Sequence, residues 1–314
     1  MERQGNNKAQ EKGGGMRLGL RCLSITAILI FIAFSITQAA SFKKWVGYPY
    51  FYTTFINYSD SKIKDSGFSL TGYLSMWYGY YNNFQLGGEY TYIKYKQGTD
   101  LKQGDFTFVY SNTNQILKRH IITTGFHYIS TTDSLTDKGK TFFLDITHYT
   151  LQRKYPYAFK WNLGTALYYS LYDNNIQFYV FQLTPHSTIK LFSSYEMGAL
   201  YLDISGTYIR VDKAKEIGLT SKNFYSLETG LRYYKGRASL GVSGWVGTQA
   251  FAVKNSGFVV YNLTEKYTGG VSLSLGYTLK SGVNLGLKGN ISTLEEEGSK
   301  VKQETLTFDI GYYF

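Results

Sequence analysis

The sequence predicts an all-β protein, a single closed antiparallel transmembrane β-barrel of about fourteen strands, with twelve and sixteen as alternatives. Three observations carry this. Segments of about ten residues that alternate apolar and polar side chains recur along the chain with turns between them, and period two is the signature of a strand with one apolar face. No stretch beyond residue 39 is apolar enough for a membrane helix, and none sustains helical periodicity. The composition has 31 Tyr, 21 Phe and 33 Gly against 3 Pro. Abundant Tyr suits an interfacial girdle, with the ring among headgroups and the hydroxyl in water.

Residues 1–15 are polar and featureless, and Met16 opens a second apparent beginning. Arg17 and Arg21 make a positive start, Leu23 to Phe34 is apolar, and Ser35 to Ala39 ends in small residues. That layout is a secretory signal peptide over 16–39, cleaved after Ala39. The apolar run is shorter than the roughly 20 residues a spanning helix needs. Translation is therefore expected to begin at Met16, with 1–15 an extension and 40–314 one barrel domain. Cys22, the single cysteine, falls within the leader, so the mature chain contains no disulfide. The whole chain carries 33 Lys+Arg and 22 Asp+Glu, of which the leader holds five and two, leaving +8. Lys residues are scattered among turns with no dense run, which fits a solvated, phosphate-compatible surface and not a nucleic-acid partner.

Within the mature chain, Phe68, Leu70, Leu74, Met76 and Tyr78 oppose Ser69, Thr71, Tyr73 and Ser75. Phe84, Leu86, Tyr90 and Tyr92 then oppose Gln85, Glu89 and Thr91. Clearest is 267–279, where Val271, Leu273, Leu275, Tyr277 and Leu279 alternate with Ser272, Ser274 and Thr278. Read throughout in this way, strands fall at 48–59, 67–80, 84–96, 104–112, 117–130, 140–151 and 157–172. They continue at 176–192, 197–210, 223–234, 237–251, 267–279, 282–293 and 301–314.

The connections supply a separate test. Those at 60–66, 97–103, 131–139, 211–222, 252–266 and 294–300 are long and polar, while 81–83, 113–116, 152–156, 235–236 and 280–281 are short. Long loops at one end and short turns at the other is the asymmetry of membrane barrels, and it places both termini in the periplasm. Two places depart from it. The 173–175 connection is short where a long one is due, and 176–192 is over-long for a strand and contains Pro185, which cannot donate to a ladder.

The last strand reads VKQETLTFDIGYYF, with Leu306, Phe308, Ile310, Tyr312 and Phe314 on one parity. It resembles the terminal strand of bacterial outer-membrane β-barrels, whose assembly machinery recognises a final Phe preceded by alternating aromatic and apolar residues. The resemblance implies Phe308, Ile310, Tyr312 and Phe314 as the assembly signal. It also implies the outer membrane as location, with its lipid, lipopolysaccharide and assembly machinery as partners. A soluble barrel of this size with its apolar face outward would lose about 25 cal/mol for each Å² left in water.

Catalytic patterns are weak. Outer-membrane lipid hydrolases place a His two residues before a Ser, and none of His120, His127, His148 or His186 does so. Asp145 and His148, three apart, point to opposite faces of a strand. There is no His-x-x-x-His and no Gly-x-x-x-x-Gly-Lys, and no cofactor is implied. The polar parity should line the lumen, with Glu89, Asp145, Lys160, Asp203, Glu228, Arg232, Lys288 and Asp309 as its charged members. Charges of both signs there set a transverse field and tune selectivity. The expected function is a passive channel for ions and small hydrophilic solutes, resembling monomeric fourteen-stranded porins. The alternatives are a barrel enzyme acting on lipid or peptide, distinguished by a His meeting a Ser or Asp across strands, and a sealed structural or adhesive barrel. Loops 211–222 and 252–266 are candidate constrictions, and the run Phe258-Val259-Val260-Tyr261 should fold into the mouth or touch lipid.

Overall fold

The computed structural model describes residues 45–152, 159–296 and 298–312. The extension 1–15, the leader 16–39 and Phe314 lie outside the described residues. The wall is built from β1 (Trp45–Ser59), β2 (Lys64–Tyr78), β3 (Asn82–Tyr95), β4 (Leu101–Thr113), β5 (His120–Thr131), β6 (Lys140–Leu151) and β7 (Phe159–Tyr172). It continues with β8 (Phe178–Ser194), β9 (Gly198–Val211), β10 (Asn223–Lys235) and β11 (Ala238–Gln249). A small inner hairpin, β12 (Val253–Lys254) with β13 (Val259–Val260), interrupts the sequence before β14 (Lys266–Thr278), β15 (Val283–Glu296) and β16 (Ser299–Tyr312) complete the wall. Each wall strand pairs antiparallel with its neighbours, and β16 closes on β1 from Tyr50↔Gly311 to Ser59↔Lys302. The barrel has fourteen strands.

Alternation decides which face is which. Leu273, Phe308 and Ile310 are 50%, 48% and 51% exposed on the outside, in a continuous apolar belt with Leu144, Leu167, Val242 and Ile291. Ser170, Thr141, Gln182 and His127, on the other parity, are buried inside. Such a belt is stable against hydrocarbon and costly against water. Tight turns hold the hairpins in register. Gly236, with φ 58°, opens the two-residue Gly236-Arg237 turn, where a positive φ at the first position matches the twist of the flanking strands.

The strand expected at 176–192 is present as β8, with Pro185 inside it, and two of the expected connections are corrected. Pairing of β8 with β9 lapses between Leu183↔Tyr208 and His186↔Ser205, around the missing N–H, while Pro185 still faces Thr165 on β7. The connection expected at 294–300 shrinks to 297–298, because β15 and β16 remain paired out to Glu296↔Ser299. The polar look of Glu295 and Glu296 hides this continuation, which is held inside by buried Leu294 and Val301. The first connection likewise shortens to 60–63. Loop asymmetry survives mainly in 212–222 and 250–265, which share one end, called here the loop end. Residues 45 and 312 lie together at the opposite, turn end.

The lipid-facing belt gives a direct test. Leu273→Arg, near the middle of β14, should destabilise the refolded barrel in lipid vesicles by about 2–4 kcal/mol, the cost of a cation near the bilayer midplane. Equilibrium denaturant unfolding measures it.

Candidate permeation pathway and its internal plug

The connection 250–265 turns inward and forms the β12–β13 hairpin inside the barrel. Its tip, Asn255-Ser256-Gly257, has φ of 52°, 51° and 82°. Asn and Gly adopt this left-handed conformation at low cost. The apolar run that begins at Phe258 folds into the mouth, not onto lipid.

Several wall residues hold the hairpin. Gln182 on β8 acts as a surrogate strand edge: its Nε2 donates to the Val253 carbonyl at 2.7 Å, and the Val253 N–H donates to its Oε1 at 2.8 Å. Phe258 occupies the space left by Gly87 on β3, where a Cβ would lie 2.7 Å from the ring, and meets Tyr73 edge-on at 5.2 Å. Further along the same wall, the tip lies against Phe143 of β6. Asn262 donates to Gln103 at 2.8 Å and Thr136 at 3.0 Å. Lys254 pairs with Glu228 at 3.0 Å and lies over the Trp245 ring at 5.0 Å. At the hairpin's far root, Glu265 forms an ion pair with buried Lys64.

Above the hairpin the loop end is packed with apolar side chains. Ile129, Tyr172, Phe178, Val180, Ile209, Val211 and Phe224 from the walls enclose Ala214, Ile217 and Leu219 from 212–222, with Ala250, Phe251 and Ala252. Phe251 stands 5.5 Å from Tyr172 and 5.3 Å from Phe178. Its φ of 55°, unfavourable for a residue with a Cβ, is held by this packing. Both loops that the sequence marks as candidate constrictions therefore fold in.

Two cavities lie among the hairpin and the lower wall. One, of about 350 Å³, is bounded by Glu89, Asp105, His127, Trp245, Tyr261 and Lys288 among others. The second, of about 420 Å³, is bounded by His186, Thr188, Asp203, Gly230, Arg232 and Ser274 among others. Both include Glu228, Ser243, Asn255, Ser272 and Lys288, so they meet along the β10–β11–β14–β15 wall. That wall carries small inner residues, Gly230, Gly241, Ser243, Ser272 and Ser274. The β2–β8 wall carries Tyr73, Phe143, Tyr168 and Tyr172.

The charged residues predicted from alternation are placed as follows. Glu89 faces Asp105 on the neighbouring strand and accepts hydrogen bonds from Thr71 and Thr91, each at 2.8 Å. Asp203 holds Arg232 in a two-pronged pair, with Arg232 Nε at 2.5 Å and Nη2 at 2.8 Å, and also accepts from Thr188. Glu228 meets Lys254, and Lys288 borders both cavities. Asp309 lies over Gly286, where no side chain obstructs its carboxylate. Lys160 sits at the bulge where β7 shifts register against β6, exposed near the turn end.

The structure also makes two His–Asp contacts that local spacing does not reveal. Asp145 meets His186 Nε2 at 3.0 Å across two strand spacings, because Gly164 between them leaves room; a Cβ there would lie 2.7 Å from His186 Cε1. Asp105 lies 3.5 Å from His127 Nε2, and the other ring nitrogen is 2.8 Å from Thr107. An acid, an imidazole and a hydroxyl in line is the arrangement that activates a nucleophile. Here His127 and Thr107 are only 2% and 3% exposed, and Thr107 does not border the cavity. A substrate in the cavity has no access to that hydroxyl. His148 points outward beside His120, ring centroids 4.8 Å apart, away from Asp145. Among the described residues no three His, Cys, Asp or Glu side chains are arranged to hold a metal.

No protein-family model matches the chain, and no curated protein matches it. Solved structures do. The CymD monoaromatic hydrocarbon channel aligns at TM-score 0.52 and 10% identity, over 85% of this chain and 87% of its own. The TodX deltaS2S3 mutant monoaromatic hydrocarbon channel aligns at TM-score 0.50 and 9% identity, over 86% and 90%. The outer membrane protein Omp33 of Acinetobacter baumannii covers 86% of this chain and 99% of its own, at TM-score 0.47 and 11% identity. The chain has the fold of a bacterial outer-membrane β-barrel. At such identities the likeness speaks for the architecture alone.

The plug contains one group whose ionisation reports on closure. Burial first, and the Glu228 carboxylate second, push the Tyr261 phenol from 10.0 up to about 12. In an open state that wets Tyr261 the phenol would ionise near 10. Closure is therefore unaffected below pH 10 and weakened as pH rises from 10 towards 12, by a few kcal/mol at most, on the order of 1.4 kcal/mol per pH unit. Conductance should rise across that window, and Tyr261→Phe should flatten the rise.

Proposed function

We propose that the protein is a passive channel in a bacterial outer membrane, carrying ions and small hydrophilic solutes through a lumen that the 250–265 hairpin constricts. The observation that carries this reading is the pair of polar-lined cavities meeting at Glu228, Ser243, Asn255, Ser272 and Lys288, beneath a plug fixed by a limited set of side-chain contacts. Transport would be diffusion, with no energy coupling. The long connections at 212–222 and 250–265 support a loop end facing outward, with both termini in the periplasm. The outer apolar belt supports insertion in lipid. Phe308, Ile310 and Tyr312 on the outer face of the closing strand, with Phe314, support recognition by the barrel assembly machinery, and lipopolysaccharide would cover the outer leaflet. The charged lumen residues Glu89, Asp145, Lys160, Asp203, Glu228, Arg232, Lys288 and Asp309 would set ion selectivity. Two observations weigh against the barrel-enzyme reading: Thr107 beside His127 is inaccessible, and at His186, which borders the second cavity, Asp145 and the Thr147 hydroxyl meet the same ring nitrogen, so the imidazole relays no proton between them.

A second reading takes its support from the seal. Tyr172, Phe178 and Phe251 pack into a buried aromatic seal where a solute would enter. An aromatic hydrocarbon would partition into the seal that a hydrated ion must displace.

Single-channel recording of the refolded protein in a planar bilayer tests the first reading. Small steps are expected from the native chain. Removal of 256–262 should give several-fold larger steps, and Arg232→Gln should shift selectivity towards cations. A barrel that inserts yet stays silent even without 256–262 overturns it, and uptake of an aromatic hydrocarbon by such vesicles would favour the second.

A further inference from the structure

The chemistry around Lys254 is that of an occupied ammonium site. Lys254 is carried by the plug, whereas the groups that receive it belong to the wall: the Glu228 carboxylate of β10 at 3.0 Å and the face of Trp245 of β11 at 5.0 Å. A carboxylate beside an exposed indole face is how proteins recognise alkylammonium groups, and Trp is the strongest of the aromatic partners. The site is open on one side, since Glu228, Trp245 and Lys254 all border the 350 Å³ cavity. Glu89 and Asp105 border the same cavity, so carboxylates outnumber the two lysines, Lys254 and Lys288, that it contains. The cavity also holds a buried nitrogen, His127 Nε2, with no hydrogen-bond partner, 3.5 Å from Asp105. A cavity with this lining favours a small organic cation over an anion or a neutral solute.

We infer that this cavity binds small alkylammonium or diamine solutes, and that Lys254 is a tethered stand-in for them, which a free ammonium displaces from Glu228 and Trp245 to loosen the plug. The inference rests on the channel reading for its consequence, since it names the solute class and what frees the constriction. Binding itself does not depend on that reading. Because Lys254 is linked to the wall at both ends of its connection, it competes at an effective concentration on the order of mM. Free ligand must reach a similar level to displace it. Replacing Lys254 removes the competitor, so it should tighten binding of the free ligand, the opposite of what loss of an ordinary contact would do.

The experiment is calorimetric titration of the detergent-refolded full chain with 1,5-diaminopentane, using 1,5-pentanediol as the neutral isostere. The native protein should bind the diamine with a midpoint of order mM and not the diol. Glu228→Gln should weaken binding at least tenfold, Trp245→Phe should weaken it less, and Lys254→Met should tighten it several-fold. Trp245→Phe keeps a ring in place and gives a reading if Glu228→Gln does not refold. Equal binding by the native protein and whichever of these variants refolds, equal binding of the diol, or unchanged affinity in Lys254→Met overturns the inference. A protein that binds the diamine with this pattern but never conducts overturns the channel reading and leaves the site. A protein that conducts but does not bind the diamine does the reverse.

Discussion

In hydrocarbon every backbone N–H and C=O must find its partner within the protein, because no water is there to replace it. A sheet in lipid can meet that demand only by closing on itself, and the β1–β16 pairing does so here. Once closure is imposed, alternation assigns each side chain to lipid or lumen, and an even strand number returns the chain to the end it started from. The barrel then has no hydrophobic core of the usual kind. Its apolar side chains are spent on the outside, and the inner face is left polar, with charged residues at Glu89, Asp145, Asp203, Glu228, Arg232 and Lys288.

The interior is nonetheless not empty, and its filling is uneven. At the loop end, inward turns bring Phe251, Ile217 and Leu219 against Tyr172 and Phe178, making the most densely apolar region of the molecule inside the barrel. Lower down, the two walls differ. Aromatic residues on β6 and β7 fill one side, and serine and glycine on β10, β11 and β14 leave the other side open. The hairpin leans on the bulky wall through Phe143 and Gln182 and reaches the opposite one through Lys254, so the proposed route for solute would follow the small-residue side.

Much of this architecture is legible from the sequence, and the reasons differ by element. The alternation of Val271, Leu273 and Leu275 with Ser272 and Ser274 is unambiguous because both faces are chemically uniform. At β8 the strand is legible and only Pro185 misleads, reading as a break while the ladder on the β7 side carries on past it. Residues 294–300 mislead in the opposite sense, because a polar stretch with a glycine looks like a loop even where Leu294 and Val301 keep two strands paired. The plug is announced by Phe258-Val259-Val260-Tyr261, too apolar for a wet loop. Its docking sites are not, because Gly87 and Gln182 are remote in sequence and acquire meaning only when the register is known. The Asp145–His186 contact lies between these cases. Alternation puts both residues and Gly164 on the inner face, but the register aligns Gly164 with Thr147 and His186, so Asp145 reaches the ring only diagonally, a contact that strand counting does not give.

The hairpin is inserted between β11 and β14, both of which are wall strands bonded to neighbours on each side. It is a door fastened to both jambs, free to bow or tilt but unable to swing clear or leave. In the proposed channel, every conducting state would therefore carry sixteen residues of its own chain within or beside the passage. The ceiling on solute size would then be set by how far that segment can flatten against the wall, and the bore of a fourteen-stranded cylinder overstates it.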